Sequence, residues 1–246
     1  MVEQLPSYQL MKRRKEKAMT KIPNKVNNRY CSFYYKDDPI DHQMVLDKSR
    51  TALMLIDLQN HFVYAPEDES PTHQKDWQPY YDRVQQVVVP NSQRLLEKFR
   101  QESMYVVHVI IQSHLSSGKD RSQSHLRGQF NDIHLLKDGQ GTMIIHELTP
   151  VKDEIIVTKT THSALTGSNV RLILNNLQIT DVVVGGLLTD QCVSSTVRSL
   201  SDENYKVWVV EDACMAGNLE LHEHALEIMN NTYCNVVNTD EVLSVL

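Results

Sequence analysis

Residues Asp181–Leu200 read DVVVGGLLTDQCVSSTVRSL, and this stretch decides the fold. Val182, Val183 and Val184 form a β-branched run without polar alternation, the pattern of a strand buried on both faces. The run ends in Gly185 and Gly186. Cys192, Val193, Thr196, Val197 and Leu200 then recur at helical spacing, so the strand is expected to turn directly into a helix with Cys192 in its first turn. The carboxyl end of a parallel strand opening into a helix is where doubly wound sheets hold ligands. Unpaired N–H groups and the positive end of a helix dipole at that place would stabilise a thiolate. Cys31, Cys214 and Cys234 have no such setting and are read as small hydrophobes.

Outward from this stretch, apolar runs alternate with helical periodicity. Thr51–Asp57 (TALMLID) is a strand closed by a carboxylate. Residues Leu58–Asp82 are rich in Pro, Asp and Glu and read as a long loop shaping a pocket mouth. Val84–Arg100 shows helical spacing, with Pro90 as a candidate true start. Met104–Ile111 is a second strand, releasing into a polar stretch that contains His114 and is expected to be mobile; Ile144 and Ile145 suggest a short edge piece. Glu154–Val157 is a third strand that delivers Lys159 just past its end. Ser168–Leu177 reads as a helix. Tyr205–Val210 is a fifth strand running into Glu211 and Asp212. Leu219–Asn230 is a helix, Tyr233–Val237 a last strand and Asp240–Leu246 a closing helical turn. The expected fold is therefore α/β: a three-layer, Rossmann-like arrangement with a mainly parallel, roughly six-stranded sheet and helices on both faces.

A chain of 246 residues with a formal charge of -6 and 41% hydrophobic residues can bury one full core and carries no global positive field for nucleic acid. A small-molecule substrate fits better. Four cysteines do not make a disulfide framework in a chain this long, and no apolar run approaches the roughly 20 residues that span a bilayer, so a cytoplasmic setting is expected. Residues 1–47 differ from the rest. Lys12, Arg13, Arg14, Lys15, Lys17, Lys21 and Lys25 precede the aromatic cluster Tyr30, Phe33, Tyr34 and Tyr35, and the whole reads as an extension with a solvated basic part and an aromatic end that packs on the domain or on a second subunit.

Asp57, Lys159 and Cys192 each end or closely follow a strand, and in an open parallel sheet such ends share one edge. Together they suggest a nucleophile (Cys192), a base (Asp57) and a cation (Lys159) that tolerates the thiolate and holds the carboxylate. Backbone N–H groups near Leu188 and Cys192 are candidate donors to an oxyanion. The implied chemistry is acyl transfer to sulfur and hydrolysis of the thioester.

The blocks TALMLIDLQNHF, VTKTTHSALTGSNV, GGLLTDQCVSSTVRSL and KVWVVEDACMA, in this order, resemble the signatures of the isochorismatase-like cysteine hydrolases over about residues 48–246. The resemblance puts that family's triad on Asp57, Lys159 and Cys192 and a non-proline cis peptide at Leu187–Leu188. It implies a hydrolase that self-associates as a homo-oligomer. Residues 60–90 lack the Asp-x-His pair of zinc-dependent nicotinamidases, so neither metal nor cofactor is called for. His61 stands where many relatives carry Asp, and Leu165 where many carry Phe, which alters the pocket; Phe62, His114 and Gln191 are further candidate lining. Cys192 favours cleavage of a C–N bond in a small amide, ureido or carbamoyl compound. The alternatives are an isochorismatase, which hydrolyses a vinyl ether by acid catalysis through Asp57, and a non-catalytic binding protein on the same fold.

Overall fold

The computed structural model describes residues 28–37, 43–66, 71–128, 130 and 132–246. The basic stretch 12–25 lies outside the described residues. Six strands, β1 (Thr51–Ile56), β2 (Tyr105–Ile111), β3 (Ile155–Lys159), β4 (Asp181–Leu187), β5 (Lys206–Met215) and β6 (Asn235–Val237), form one sheet in the order β3-β2-β1-β4-β5-β6. Every adjacent pair is parallel. The order reverses between β1 and β4, the switch point at which open α/β sheets hold ligands.

Past their first residues, Thr51 and Asp181, the two central strands carry no polar side chain because each must bury both faces: all six residues of β1 and all seven of β4 are buried. Side chains alternate across the sheet. Ala52, Met54, Ile56, Val182 and Val184 pack with Val197, Leu200, Leu174 and Leu226 on one face. Leu53, Leu55 and Val183 pack with Val84, Val88, Leu95, Leu96 and Phe99 on the other.

Helices cover both layers. Residues Leu58–Asp82 differ from the expected loop: after a single turn at Asn60–Val63 the chain forms α1 (Pro71–Arg83), which continues through a π-helical turn at Val84–Val88 into α2 (Val89–Gln101). Trp77, Tyr80, Tyr81, Val84 and Val88 mark its inner face at helical spacing, a signal that Pro71, Pro79 and the surrounding acids obscure. Pro90 does not start the helix; it sits within the first two residues of α2, directly after the wider π turn, where its missing N–H disturbs the ladder least.

The remaining helices are α3 (Val170–Asn176), α4 (Ser194–Asp202), α5 (Leu219–Met229) and α6 (Thr239–Val245). Asn218 caps α5 by accepting from Leu221 N–H at 2.8 Å. Asn238 and Glu241 form a capping box on α6.

Three further differences from the sequence expectations are local. β5 runs on to Met215, through a register shift opposite Val184 and Gly186, so Glu211 and Asp212 lie within the strand instead of after it. Glu211 is accommodated by Tyr30 and Arg29, and Asp212 by Thr239, whose N–H and hydroxyl both donate to Oδ1. The polar stretch after β2 contains a 3₁₀ turn, Gln123–Leu126, that buries His125 completely. Ile144 makes an isolated bridge to Gln59 beside the sheet, and Ile145 is fully buried.

The aromatic end of the N-terminal segment divides. Tyr30 is buried, its hydroxyl donates to Glu211, and its carbonyl accepts from Asn230 Nδ2 at 3.1 Å. Arg29 pairs with Glu211 and Glu223. Phe33 and Tyr34 are exposed and meet edge to face at 6.0 Å.

At the far end of the sheet from Asp57, Glu154 accepts from Arg100 Nε at 2.7 Å, Arg100 Nη2 at 3.0 Å and Val151 N–H at 3.0 Å, and pairs with the buried His108 at 3.0 Å. Burial works against the charge, but Arg100, the Val151 N–H and His108 hold the Glu154 pKa down to about 2. A folded pKa below the unfolded one means stabilisation that is present above the unfolded value, near 4.5, and lost as pH falls toward about 2. Glu154→Gln is expected to lower stability at neutral pH by about 1.5–3 kcal/mol. Urea midpoints of the two proteins should converge between those two pKa values; a gap that stays constant there would contradict the assignment.

Gly186 brings the sheet together at the switch point. Its φ is +130°, and a Cβ at this position would stand 2.1 Å from Ile56 O and 2.6 Å from Ile56 N. No side chain fits without moving the backbone that leads into Asp57. Gly186→Ala is expected to cost about 2–3 kcal/mol in urea unfolding, whereas Gly217→Ala, where the nearest atom is Trp77 Cη2 at 3.6 Å, should lie within about 1 kcal/mol of wild type.

Candidate active site

Asp57 follows β1 directly. Its backbone is in the left-handed region, φ 54°, which Asp tolerates better than bulky residues, and its N–H donates to Val109 O at 2.9 Å. Gln59, two residues on and fully buried, braces this strand end. Its Nε2 donates to Ile111 O at 3.0 Å and Thr142 O at 2.8 Å, and its Oε1 accepts from Ile111 N–H at 2.8 Å. Lys159 is the last residue of β3, not the first after it, and its carbonyl accepts from Gln112 N–H at 3.0 Å. Cys192 lies in a π-helical turn, Thr189–Val193, rather than in the first α-helical turn. The Leu187–Leu188 peptide is cis.

These three side chains meet. Lys159 Nζ is 2.8 Å from Asp57 Oδ2 and 3.3 Å from Cys192 Sγ. Asp57 is 1%, Lys159 0% and Cys192 5% exposed, so the cluster is sealed from bulk water. A fully buried lysine is rare and requires a partner, which Asp57 supplies. Apart from Lys159, the side-chain partner of Asp57 is the Cys192 thiol, so the carboxylate is placed to take up the thiol proton.

The electrostatics reverse one sequence expectation. Burial, followed by the charge of Asp57, raises the Cys192 thiol pKa, with Lys159 opposing. Burial thus favours the protonated sulfur over the thiolate expected at a helix end. Burial also raises the Asp57 carboxyl, against the pull of Lys159, which favours its taking a proton. Burial works against the Lys159 ammonium, but Asp57 and then Cys192 beside it raise its pKa.

A cavity of about 300 Å³ opens next to Leu188 and is lined by His61, Phe62, Trp77, Tyr80, Phe130 and Ile133 among others. Trp77 stacks on Phe130 at 5.3 Å and 12° between planes, and meets Tyr80 edge-on. Of the residues singled out from sequence as lining, His61 and Phe62 face this cavity and the other three do not. Leu165 is buried in the core beneath α3, filling space that a larger ring would overfill. His114 is exposed, its N–H donating to Asp120 Oδ2 at 2.7 Å. Gln191 is partly exposed, and its N–H donates to Leu188 O at 3.0 Å.

Two histidines near the sulfur escaped the sequence reading. His162 Nδ1 is 3.7 Å from Cys192 Sγ, and the His162 ring rests edge-on against His125, centroids 4.3 Å apart. The available signal was that His162 leaves the same strand end as Lys159. Thr189 carries a third, its hydroxyl 2.8 Å from the buried His222 Nδ1.

Among the described residues no helix is long and apolar enough to cross a membrane. The chain is 24% identical to the uncharacterized isochorismatase family protein YrdC of Bacillus subtilis, over 80% of this chain and 96% of that one. It is 30% identical to the ureidoacrylate amidohydrolase RutB of Acinetobacter baylyi over 43% of this chain and 42% of that one. A solved isochorismatase family protein from Desulfovibrio vulgaris superposes with a TM-score of 0.64 at 27% identity, covering 79% of this chain and 98% of that one. The isochorismatase domain itself matches residues 51–241. Fold, strand order and this match agree, and the chain belongs to the isochorismatase family of hydrolases.

Proposed function

We propose that this protein is a cysteine-dependent amidohydrolase that cleaves a C–N bond of a small amide, ureido or carbamoyl compound through a thioester on Cys192, with residues 48–246 as the hydrolase unit. The observation that carries the reading is a single buried ammonium, Lys159 Nζ, within 2.8 Å of a carboxylate and 3.3 Å of a thiol. Asp57, which already accepts from the Cys192 thiol, takes its proton as sulfur attacks the carbonyl carbon. While the charge passes from Asp57 to sulfur it stays beside Lys159, so no ion is left alone in a low-dielectric site at that stage. The carbonyl oxygen becomes an anion facing the N–H groups of Leu188 and Cys192, donors of a kind worth about 2.7–4 kcal/mol each. Asp57 then returns the proton to the departing nitrogen, and water cleaves the thioester.

The substrate class is supported by a small cavity whose aromatic walls also present His61, Tyr80 and Asp132, and by the partial similarity to a ureidoacrylate amidohydrolase. The test is incubation with a panel of amides, ureido and carbamoyl compounds, following ammonia release and an acyl adduct on Cys192 by intact mass. An adduct with ammonia supports the reading. Pyruvate formation from a vinyl ether, undiminished by alkylation of the thiol, would replace it with acid catalysis through Asp57.

A further inference from the structure

The scheme above leaves unused a histidine in contact with the sulfur, beside a carboxylate that is itself buried and held by Lys159. His162 Nδ1 lies 3.7 Å from Cys192 Sγ. Its ring packs at 65° against His125, a residue with no exposed surface. His125 Nδ1 lies 3.3 Å from Thr160 O, and since a carbonyl only accepts, Nδ1 carries the proton. His125 Nε2 is then a buried lone pair without a partner, beside His162. Burial and the charge of Lys159 lower the His162 pKa, with Asp57 opposing. Burial, then His162 and Lys159, bring His125 to about 4. Both rings are neutral imidazoles near pH 7, and a neutral imidazole accepts a proton.

Accessibility separates His162 from Asp57. Asp57 is 1% exposed and its Oδ2 is engaged by Lys159, whereas His162 is only partly buried and touches the sulfur.

We propose that His162 is a further catalytic residue, the general base that activates the hydrolytic water in the deacylation of Cys192. The inference rests on the cysteine-hydrolase reading. As the water oxygen bonds to the thioester carbon, a water proton passes to His162 Nδ1. The C–S bond then breaks, the sulfur recovers that proton from the imidazolium, and the products are a carboxylic or carbamic acid and free Cys192.

Rapid mixing of the full chain with p-nitrophenyl acetate separates the steps, since p-nitrophenolate appears in a burst on acylation and then at the deacylation rate. In His162→Gln and His162→Ala the burst should persist within about threefold while the steady rate falls about 10²-fold or more, with acetyl-Cys192 accumulating by mass. Imidazole added to His162→Ala should restore turnover. A steady rate within threefold of wild type in a variant with an unchanged melting temperature would overturn the assignment, as would loss of burst and steady rate to the same extent without imidazole rescue. Absence in wild type of a burst that depends on Cys192 would instead remove the cysteine-hydrolase reading itself, and this inference with it.

Discussion

Cys192→Ala is expected to lower ammonia release from any substrate of this protein by at least about 10⁴-fold, the scale on which removal of a nucleophile from a mutually dependent catalytic group reduces turnover. The loss should appear in kcat. Cys192 is not among the residues that line the cavity beside Leu188, so binding of the apolar part of a substrate should persist. The variant should fold, because alanine removes one atom from a site in which Asp57 and Lys159 still neutralise each other at 2.8 Å. Steady-state kinetics on the most active member of the amide panel, with melting temperature as the folding control, measures both. Unchanged turnover in the alanine variant would exclude sulfur from bond making and leave the family membership standing alone.

Lys159→Met is expected to have the largest effect on stability, about 3–5 kcal/mol, because it strands a carboxylate that is 1% exposed without its cation. Methionine is close to lysine in shape, so little of the loss is packing. Asp57→Asn should be costly for the converse reason. The double variant should recover about 0.5–3 kcal/mol relative to the sum of the single losses, since neither partner is then left charged. The sign of the pH dependence is also fixed. Without Lys159 the lowering influence on Asp57 is gone and burial alone acts, so its folded pKa stands further above the unfolded one. The carboxyl is then tolerated when protonated, and the stability deficit of Lys159→Met must widen as pH rises from about 5 to 8. Urea unfolding at several pH values reads this directly; additive single losses would show that the two charges do not compensate each other.

How much of this was legible in the amino acids depends on the kind of signal each segment carries. The strands announced themselves because a sheet covered on both faces demands uninterrupted apolar runs such as TALMLI and DVVV. The meeting of residues 57, 159 and 192 followed from strand polarity alone, since parallel strands deliver their ends to one edge. The helix at Pro71–Arg83 was hidden because its inner face is built of Trp77, Tyr80 and Tyr81 on either side of Pro79, and rings with polar atoms look like loop residues when counted by composition. The continuation of β5 through Glu211 and Asp212 was hidden because the groups that satisfy those carboxylates come from residues 29, 30 and 239, which no local pattern connects to them. His125 and His162 were invisible for the same reason: loops converge from separate strand ends, and their contact is a property of the third dimension. Leu165 and His114 erred in opposite directions, one sinking into the core and the other staying in water.

The anchoring of Tyr30 bears on where the functional unit starts. The family match opens at residue 51, yet an aromatic ring from twenty residues earlier is lodged under the last strands, with its hydroxyl on Glu211 and its carbonyl on Asn230. A version shortened to the recognisable family span would expose the ring's binding niche and strip an acid inside β5 of its phenolic donor. Tyr30 thus ties its neighbours to the hydrolase sheet, and shortened forms intended for expression should retain at least Asn28 onward.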